Sequence, residues 1–308
     1  MTASCPLPDG VQVFERGWLS ANNILLTGDG PTALVDSGYW THASQTIGLV
    51  THALRERPLE ILVNTHLHSD HCGGNAALQE KFPGLTTLIP PGHWQQVHHW
   101  DPVALTYEPT GQHCPRFRAE QVIAPGSEYE LGAQVWQAHA APGHDPHSIV
   151  LFEPQSRTLV SADSLWENGF GVVFPELEGQ AAFDEVGQTL DLIESLQPAV
   201  VIPGHGQVFS GVAPALAAAR KRLDGFVAAP AKHARHGAKV LLKFKLLEVQ
   251  AFSREALHHW AANTVYLTLI RHRWDPEVTA SGWIELLADD LVRAGVARRE
   301  GEQLINIS

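Results

Sequence analysis

Thr65-His66-Leu67-His68-Ser69-Asp70-His71-Cys72-Gly73-Gly74 is the stretch on which the fold turns. It follows the apolar run Ile61-Leu62-Val63, which reads as a buried strand. His66 and His68 stand at the end of that strand, two residues apart, so their side chains leave it on one face and can converge on a single ion. Asp70 and His71 follow on the turn. Gly73-Gly74 lets backbone pass close by before a helix begins near Asn75. Neutral imidazoles with a carboxylate suit zinc or another borderline divalent metal. The competing reading, a histidine-rich surface turn, is disfavoured by the ligand-type residues further along the chain.

Three such residues each follow a strand-like run. His144 stands in Ala141-Pro142-Gly143-His144-Asp145, after the alternating Gln134-Val135-Trp136-Gln137-Ala138. Asp163 ends Leu159-Val160-Ser161-Ala162-Asp163, and His205 lies in Val200-Val201-Ile202-Pro203-Gly204-His205-Gly206. Each alone is an ordinary loop residue. Together with the first motif they make four stations of metal-binding residues at strand ends.

In order and spacing these stations resemble the metallo-β-lactamase superfamily over roughly residues 10 to 210. The resemblance rests on the H-x-H-x-D-H motif from His66 to His71, Pro-Gly-His at His144, the strand-end Asp163 and Pro-Gly-His-Gly at His205. The stretches Asn23 to Gly28 and Ala33 to Gly38 match the family's opening strands. The resemblance implies a four-layer αββα sandwich and two metal ions per chain, most simply Zn²⁺, with Mn²⁺ or Fe²⁺ as alternatives. It implies that His66, His68 and His144 hold the first ion, that Asp70, His71 and His205 hold the second, and that Asp163 bridges them. Asp36 is expected to support the site without binding metal. Asp70 would also orient the shared water, which two cations make acidic enough to attack near neutral pH. A serine or cysteine nucleophile is then unnecessary, and Cys72 is expected to serve packing. Ala162 replaces the more usual glycine of Ser-Gly-Asp, a change expected to disturb little.

At 308 residues, 44% hydrophobic and with 26 glycines, the chain suits an α/β protein with many tight turns and room for a second, smaller domain. Strands are expected near Gln12 to Glu15, Asn23 to Leu26, Ala33 to Asp36, Ile61 to Asn64, Thr86 to Ile89, Val135 to Ala138, Ser148 to Phe152, Thr158 to Ser161 and Ala199 to Ile202. Helices fit Thr41 to Arg55, Asn75 to Glu80, Gly92 to His99, Ala181 to Leu196 and Val212 to Val227. No apolar run is long enough to span a membrane. Met1 to Pro6 shows no basic or apolar leader, and the three cysteines are too scattered for a disulfide framework. A cytoplasmic location is therefore expected. The segment from Trp94 to Phe117, rich in histidine and aromatic residues, is expected to line a substrate pocket.

Beyond residue 219 the chain changes character, from a net charge of −16 to one of +4 within a total of −12. Residues 1–238 are read as the metal-binding domain with a linking helix, and residues 239–308 as a small C-terminal module. Helical patterns over Lys239 to Val249, Ser253 to Ala261, Thr264 to Arg271 and Ser281 to Ala294 precede a hairpin turning near Gly301. Ser253 is the expected N-cap of its helix. This order suggests a winged-helix-like domain and is similar to the extension of the subgroup that includes the human-type β-lactamase-like protein 2, some of whose members cut RNA. Trp283, Leu286, Leu287 and Leu291 read as packing residues. Arg298-Arg299 could meet phosphates, but the weak basic charge favours a dimerisation or lid role over nucleic-acid binding.

Three activities remain open. The first is hydrolysis of a small-molecule ester, thioester or lactone. The second is a metal-dependent endoribonuclease or phosphodiesterase, in which His147 would donate a proton to the leaving oxygen. The third, an iron-dependent persulfide dioxygenase, usually carries Pro-Ala-His where this chain has Pro203-Gly204-His205.

Overall fold

The computed structural model describes residues 7–307; Met1 to Pro6, including Cys5, and Ser308 lie outside the described residues. The first half builds a six-stranded sheet from β1 (Val11–Phe14), β2 (Asn23–Leu26), β3 (Ala33–Val35), β4 (Ile61–Val63), β5 (Thr86–Ile89) and β6 (Gln121–Val122), in that spatial order. The second half builds a five-stranded sheet from β7 (Glu128–Leu131), β8 (Gln134–Ala140), β9 (Ile149–Glu153), β10 (Thr158–Ala162) and β11 (Val200–Pro203), running from β11 to β7. The period-two alternation of the strands decides their faces. Ile24, Leu26, Val35 and Val63 turn inward against Trp136, Ala138, Ile149, Leu151, Val160 and Ile202 of the second sheet. Their neighbours Leu25, Leu34 and Leu62 turn outward, onto α1 (Ala43–Leu54) and α3 (Asn75–Lys81), which follows the single turn α2 (Ser69–Cys72).

The opposite outer face is covered in the same way. Val150, Phe152, Leu159 and Val201 pack on α6 (Phe183–Leu196) and α7 (Val212–Ala228). Two sheets face to face with helices outside both give the four-layer αββα sandwich expected from the sequence. The strands β6 and β7, the single turn α2 and the short helix α5 (Phe174–Glu178), which follows α4 (Trp94–His99) in order, were not foreseen.

The C-terminal region is more closely joined to the sandwich than the sequence suggested. α8 (Pro230–Val249) is one continuous helix, separated from α7 by Ala229 alone. Residues 238 and 239, where a domain break was expected, both lie in its middle. Beyond it come β12 (Ala251–Ser253), α9 (Arg254–Asn263), α10 (Val265–Trp274), α11 (Ala280–Arg293), β13 (Ala297–Glu300) and β14 (Gln303–Asn306). The three strands form a small antiparallel sheet in the order β12-β14-β13, and the hairpin turns at Gly301. The Ser253 hydroxyl accepts from the amide of Ala256, capping α9 as expected. On α11, Trp283, Leu287 and Leu291 are buried four residues apart, whereas Leu286 is 41% exposed, so it does not serve packing as the sequence reading held.

One core spans both parts. Val172 and Leu177, from the segment after β10, are buried with Ala234, Ala238, Leu241 and Leu242 of α8. The approach is close because α8 carries glycine there: a Cβ on Gly237 would lie 2.8 Å from Leu177 Cδ1 and 3.3 Å from Val172 Cγ1. Gly237→Val is therefore expected to lower stability by about 1–3 kcal/mol through overpacking, read as a lower urea midpoint. Leu286→Ser on the exposed face of α11 should change it by less than about 0.5 kcal/mol.

Candidate metal centre

Strand ends bring the expected ligands together. Among the described residues, the ligand atoms of His66, His68 and His144 lie within 4.8 Å of one another, and so do those of Asp70, His71, Asp163 and His205. His68 Nδ1 is 3.1 Å from His66 Nε2 and 2.9 Å from His144 Nε2. His205 Nε2 is 3.0 Å from Asp70 Oδ2. The carboxylate of Asp163 faces both groups, with Oδ2 3.4 Å from His144 Nε2 and Oδ1 3.5 Å from His71 Nε2. Atoms bound at about 2.05 Å around a tetrahedral ion stand roughly 3.3 Å apart, which is close to the spacing of the imidazole nitrogens here.

Neighbouring groups set the tautomers. His71 Nδ1 donates to Asp36 Oδ2 at 2.7 Å, and its Nε2, turned toward Asp163 and Asp70, is buried without a hydrogen-bond partner. His144 Nδ1 donates to the Val172 carbonyl at 2.6 Å, and His66 Nδ1 lies 3.1 Å from Thr65 Oγ1. In both cases Nε2 is turned toward the cluster. Asp36 itself is held by the Thr65 amide at 2.9 Å and hydroxyl at 2.8 Å. It does so from a left-handed backbone (φ 57°), which aspartate tolerates better than most residues. Its supporting role is the one expected.

Charge in the site calls for cations. Burial, followed by the neighbouring imidazoles, holds His66 well below the usual histidine pKa and His68 down at about 4, so both are neutral lone-pair donors at pH 7. Burial lowers His71 too, but Asp36, Asp163 and Asp70 outweigh it and raise its pKa well above normal. Burial pushes Asp163 and Asp70 up, yet the surrounding histidines win and keep both carboxyls ionised. The carboxylates of Asp70 and Asp163, with Asp36 behind His71 and an imidazole nitrogen without a hydrogen-bond partner, form a set suited to divalent ions, and a cation there would take the place of the proton that these carboxylates favour on His71.

Backbone makes room for this density. A Cβ on Gly204 would lie 2.2 Å from Asp163 Oδ1, so residue 204 must be glycine for Asp163 to point where it does. Ala162 adopts φ 47°, a left-handed conformation that costs a non-glycine residue about 1 kcal/mol. The replacement expected to disturb little therefore carries backbone strain beside the Asp163 carboxylate.

The ligands open into a cavity of about 370 Å³. Trp18 stacks on His205 with ring centroids 5.3 Å apart. Trp166 meets both rings edge-on and donates its indole N–H to Asp163 Oδ1 at 3.3 Å. Phe174 of α5 packs on His68 at 4.6 Å, and Val240, Leu241 and Phe244 of α8 close the far wall. From the segment expected to line the pocket, Thr106, Thr110 and Gln112 do so. Its aromatic residues do not: Tyr107 is buried in a separate cluster with Trp94 and Trp100 against it, because their apolar faces pack under the loop. His98 and His99 bond carbonyls of their own helix. Cys72 is fully buried, with Sγ 3.2 Å from Tyr107 Oη, in the packing role expected of it.

His147 is not brought into either ligand group. Its ring packs edge-on to His93, with centroids 4.5 Å apart, and it does not line the cavity. Its backbone amide donates to Asp145, a buried carboxylate 3.9 Å from His68 Nε2. Asp145, Trp166 and Phe174 escaped the sequence reading. Only Asp145, directly after His144, carried a signal there.

The Metallo-beta-lactamase superfamily model matches residues 16–205. The chain belongs to that superfamily. A hydroxyacylglutathione hydrolase of Anaeromyxobacter dehalogenans is 31% identical over 162 residues, 52% of this chain and 52% of its own length. Another from Brucella anthropi is 25% identical over 161 residues, covering 52% and 50%. The chain thus spans about half the length of the curated relatives it matches. Among solved structures, the metallo-beta-lactamase family protein TTHA1429 of Thermus thermophilus superposes with a TM-score of 0.54 at 18% identity, over 98% of this chain and 100% of that one. TTHA1623, solved in a di-iron-bound form, superposes with a TM-score of 0.53 at 23% identity, over 66% of this chain and 96% of that one. Those two likenesses concern the fold. Within that superfamily fold the two ligand groups form a candidate dinuclear metal site, and among the described residues no helix is long and apolar enough to cross a membrane.

Removing the Asp36 charge while keeping its shape and its left-handed backbone tests the tautomer argument. Asp36→Asn is expected to weaken metal affinity about 10–100-fold, measured by competition with a chromophoric chelator. Unchanged affinity would mean that Asp36 does not control His71.

Proposed function

We propose that this chain hydrolyses a small thioester, ester or lactone, with thioesters first, at a binuclear centre held by His66, His68 and His144 on one side and Asp70, His71 and His205 on the other, with Asp163 between them. The observation that carries this reading is the largely apolar cavity onto which the two ligand groups open, walled on one side by α8. The curated relatives that match half of the chain are hydroxyacylglutathione hydrolases by name, which favours a thioester over the other acyl compounds. Bound there, two divalent ions, zinc by the donor set, supply Lewis acidity and water that is deprotonated near neutral pH.

The chain's own groups do the rest. Asp36, Thr65 and the Val172 carbonyl fix the imidazole tautomers. Asp70, facing His205, orients the attacking oxygen. Asp163 faces both ligand groups, steadied by the Trp166 indole. Trp18, Phe174 and Phe244 hold the apolar part of the substrate and exclude water from it. The C-terminal region, winged-helix-like in its helices and closing hairpin, acts as the roof of this pocket.

The second reading, a phosphodiesterase or endoribonuclease like members of the β-lactamase-like protein 2 subgroup, has less support. Arg299 is bonded to Glu285 at 2.7 Å and Asp289 at 2.8 Å, and Arg298 pairs with Glu300, so neither arginine of the hairpin is free for phosphate. His147, its proton donor in that reading, stands off the cavity wall. A net charge of −12 also repels a polyanion.

Metal-loaded protein assayed in parallel on a thioester, a lactone, bis-p-nitrophenyl phosphate and single-stranded RNA decides between the two. Turnover of the acyl substrates is expected; turnover of the phosphodiesters alone would replace this reading with the second. Asp70→Ala should lower kcat for the acyl substrate at least about a hundredfold, roughly 3 kcal/mol of barrier. Its far-ultraviolet circular dichroism should stay unchanged. A variant with near-normal kcat would remove Asp70 from the mechanism.

A further inference from the structure

Two arginines of α7 stand two residues apart in different situations. Arg220 is bridged to Asp191 and Glu194 at the surface. Arg222 is half-buried on the wall of the catalytic cavity, and among the described residues no carboxylate forms an ion pair with it. Glu167 lines the same cavity without pairing to it. The one side-chain hydrogen bond of Arg222 runs from Nη2 to His236 Nε2 at 2.8 Å. Burial, reinforced by Arg222 itself, holds His236 down at about 4, so this partner is a neutral acceptor and offsets none of the cation's charge. The guanidinium also lies over Phe170 at 5.6 Å and Phe226 at 5.3 Å. Those contacts hold the fork in place and remove water from its faces. A guanidinium has five N–H donors, and one is used.

Its position relative to the metal centre follows from the loop after Asp163. Gly169 packs on Arg222 Nη1, and Gly171, two residues on, packs on the His144 ring and Asp163 Cβ. Two residues span at most about 7 Å, so the fork lies within about 15 Å of His144, and both line the same cavity. We infer that Arg222, positioned by His236, Phe170 and Phe226, selects the charge of the substrate by binding a carboxylate on its far end while the scissile carbonyl lies at the metal centre. This rests on the acyl-hydrolase reading and narrows it to acyl substrates carrying a carboxylate on the end away from the scissile carbonyl. A half-desolvated cation without a counter-ion is costly until such an anion arrives, and a carboxylate meets the fork through two parallel N–H···O bonds.

The test compares matched ligands on the metal-loaded full chain, wild type against Arg222→Met, which keeps the stem on the two phenylalanine rings, and Arg222→Lys, which keeps the charge. The substrates are a thioester ending in a carboxylate and the same compound ending in a primary amide. The non-reacting probes are 3-phenylpropionate and 3-phenylpropionamide, followed by quenching of tryptophan fluorescence. Arg222→Met should lower kcat/KM for the acid about 10–100-fold, through KM, and weaken phenylpropionate by a similar factor. The amide pair should change less than about twofold, and Arg222→Lys should recover part of the preference. Equal losses for acid and amide, or no loss for either, would overturn the inference. If wild type turned over neither thioester while phenylpropionate binding still depended on Arg222, the hydrolase reading would fail and the charge selection would stand.

Discussion

Seven side chains gather imidazole nitrogens and carboxylate oxygens into two adjoining groups, the atoms of each within 4.8 Å of one another, and the sandwich holds them there. Like charges and lone pairs at about 3 Å repel, so no isolated loop would keep this arrangement. Each ligand therefore sits at or just beyond the end of a buried strand. His66, His68, Asp70 and His71 follow β4 of the first sheet, and His144, Asp163 and His205 follow strands of the second. The two sheets bring these ends together through the layer built around Trp136.

This dependence makes the site's secondary features intelligible. Gly204 is the only residue that leaves Asp163 room, because any side chain would fall on its carboxylate. Ala162 accepts a left-handed backbone to aim the same carboxylate. Stability is spent here on geometry, as is usual where function is packed tightly. The covering helix α8 follows the same logic on a larger scale. Its glycine face lets it settle onto Leu177 and Val172, and that places Val240, Leu241 and Phe244 over the ligands.

The gathering of these seven side chains was legible in the sequence because metal chemistry restricts residue type and strand periodicity restricts spacing. His66 and His68 are adjacent in chain and space, and His144, Asp163 and His205 each follow an apolar run. The sandwich was legible for the same reason. The pocket was not. Trp18, Trp166, Phe174 and Phe244 come from four separate segments, and nothing local distinguishes them from Tyr107 or Trp100, which pack elsewhere. β7 reads Glu128-Tyr129-Glu130-Leu131, too polar to stand out as a strand, and α5 is only five residues long. The continuity of α8 was hidden because its start falls on Pro230, a residue that breaks helices inside but suits their first turn. The strain at Ala162 depends on a backbone angle that residue type does not reveal.

The central claim is that two separate ions occupy this cluster, joined by one carboxylate. Anomalous diffraction from crystals of metal-loaded protein, collected on both sides of the metal absorption edge, tests it most directly. The account predicts two peaks of comparable height, one among His66, His68 and His144 and one among Asp70, His71 and His205, with Asp163 reaching both. A single peak at full occupancy, or peaks that leave Asp70 and His205 without a metal, would contradict it.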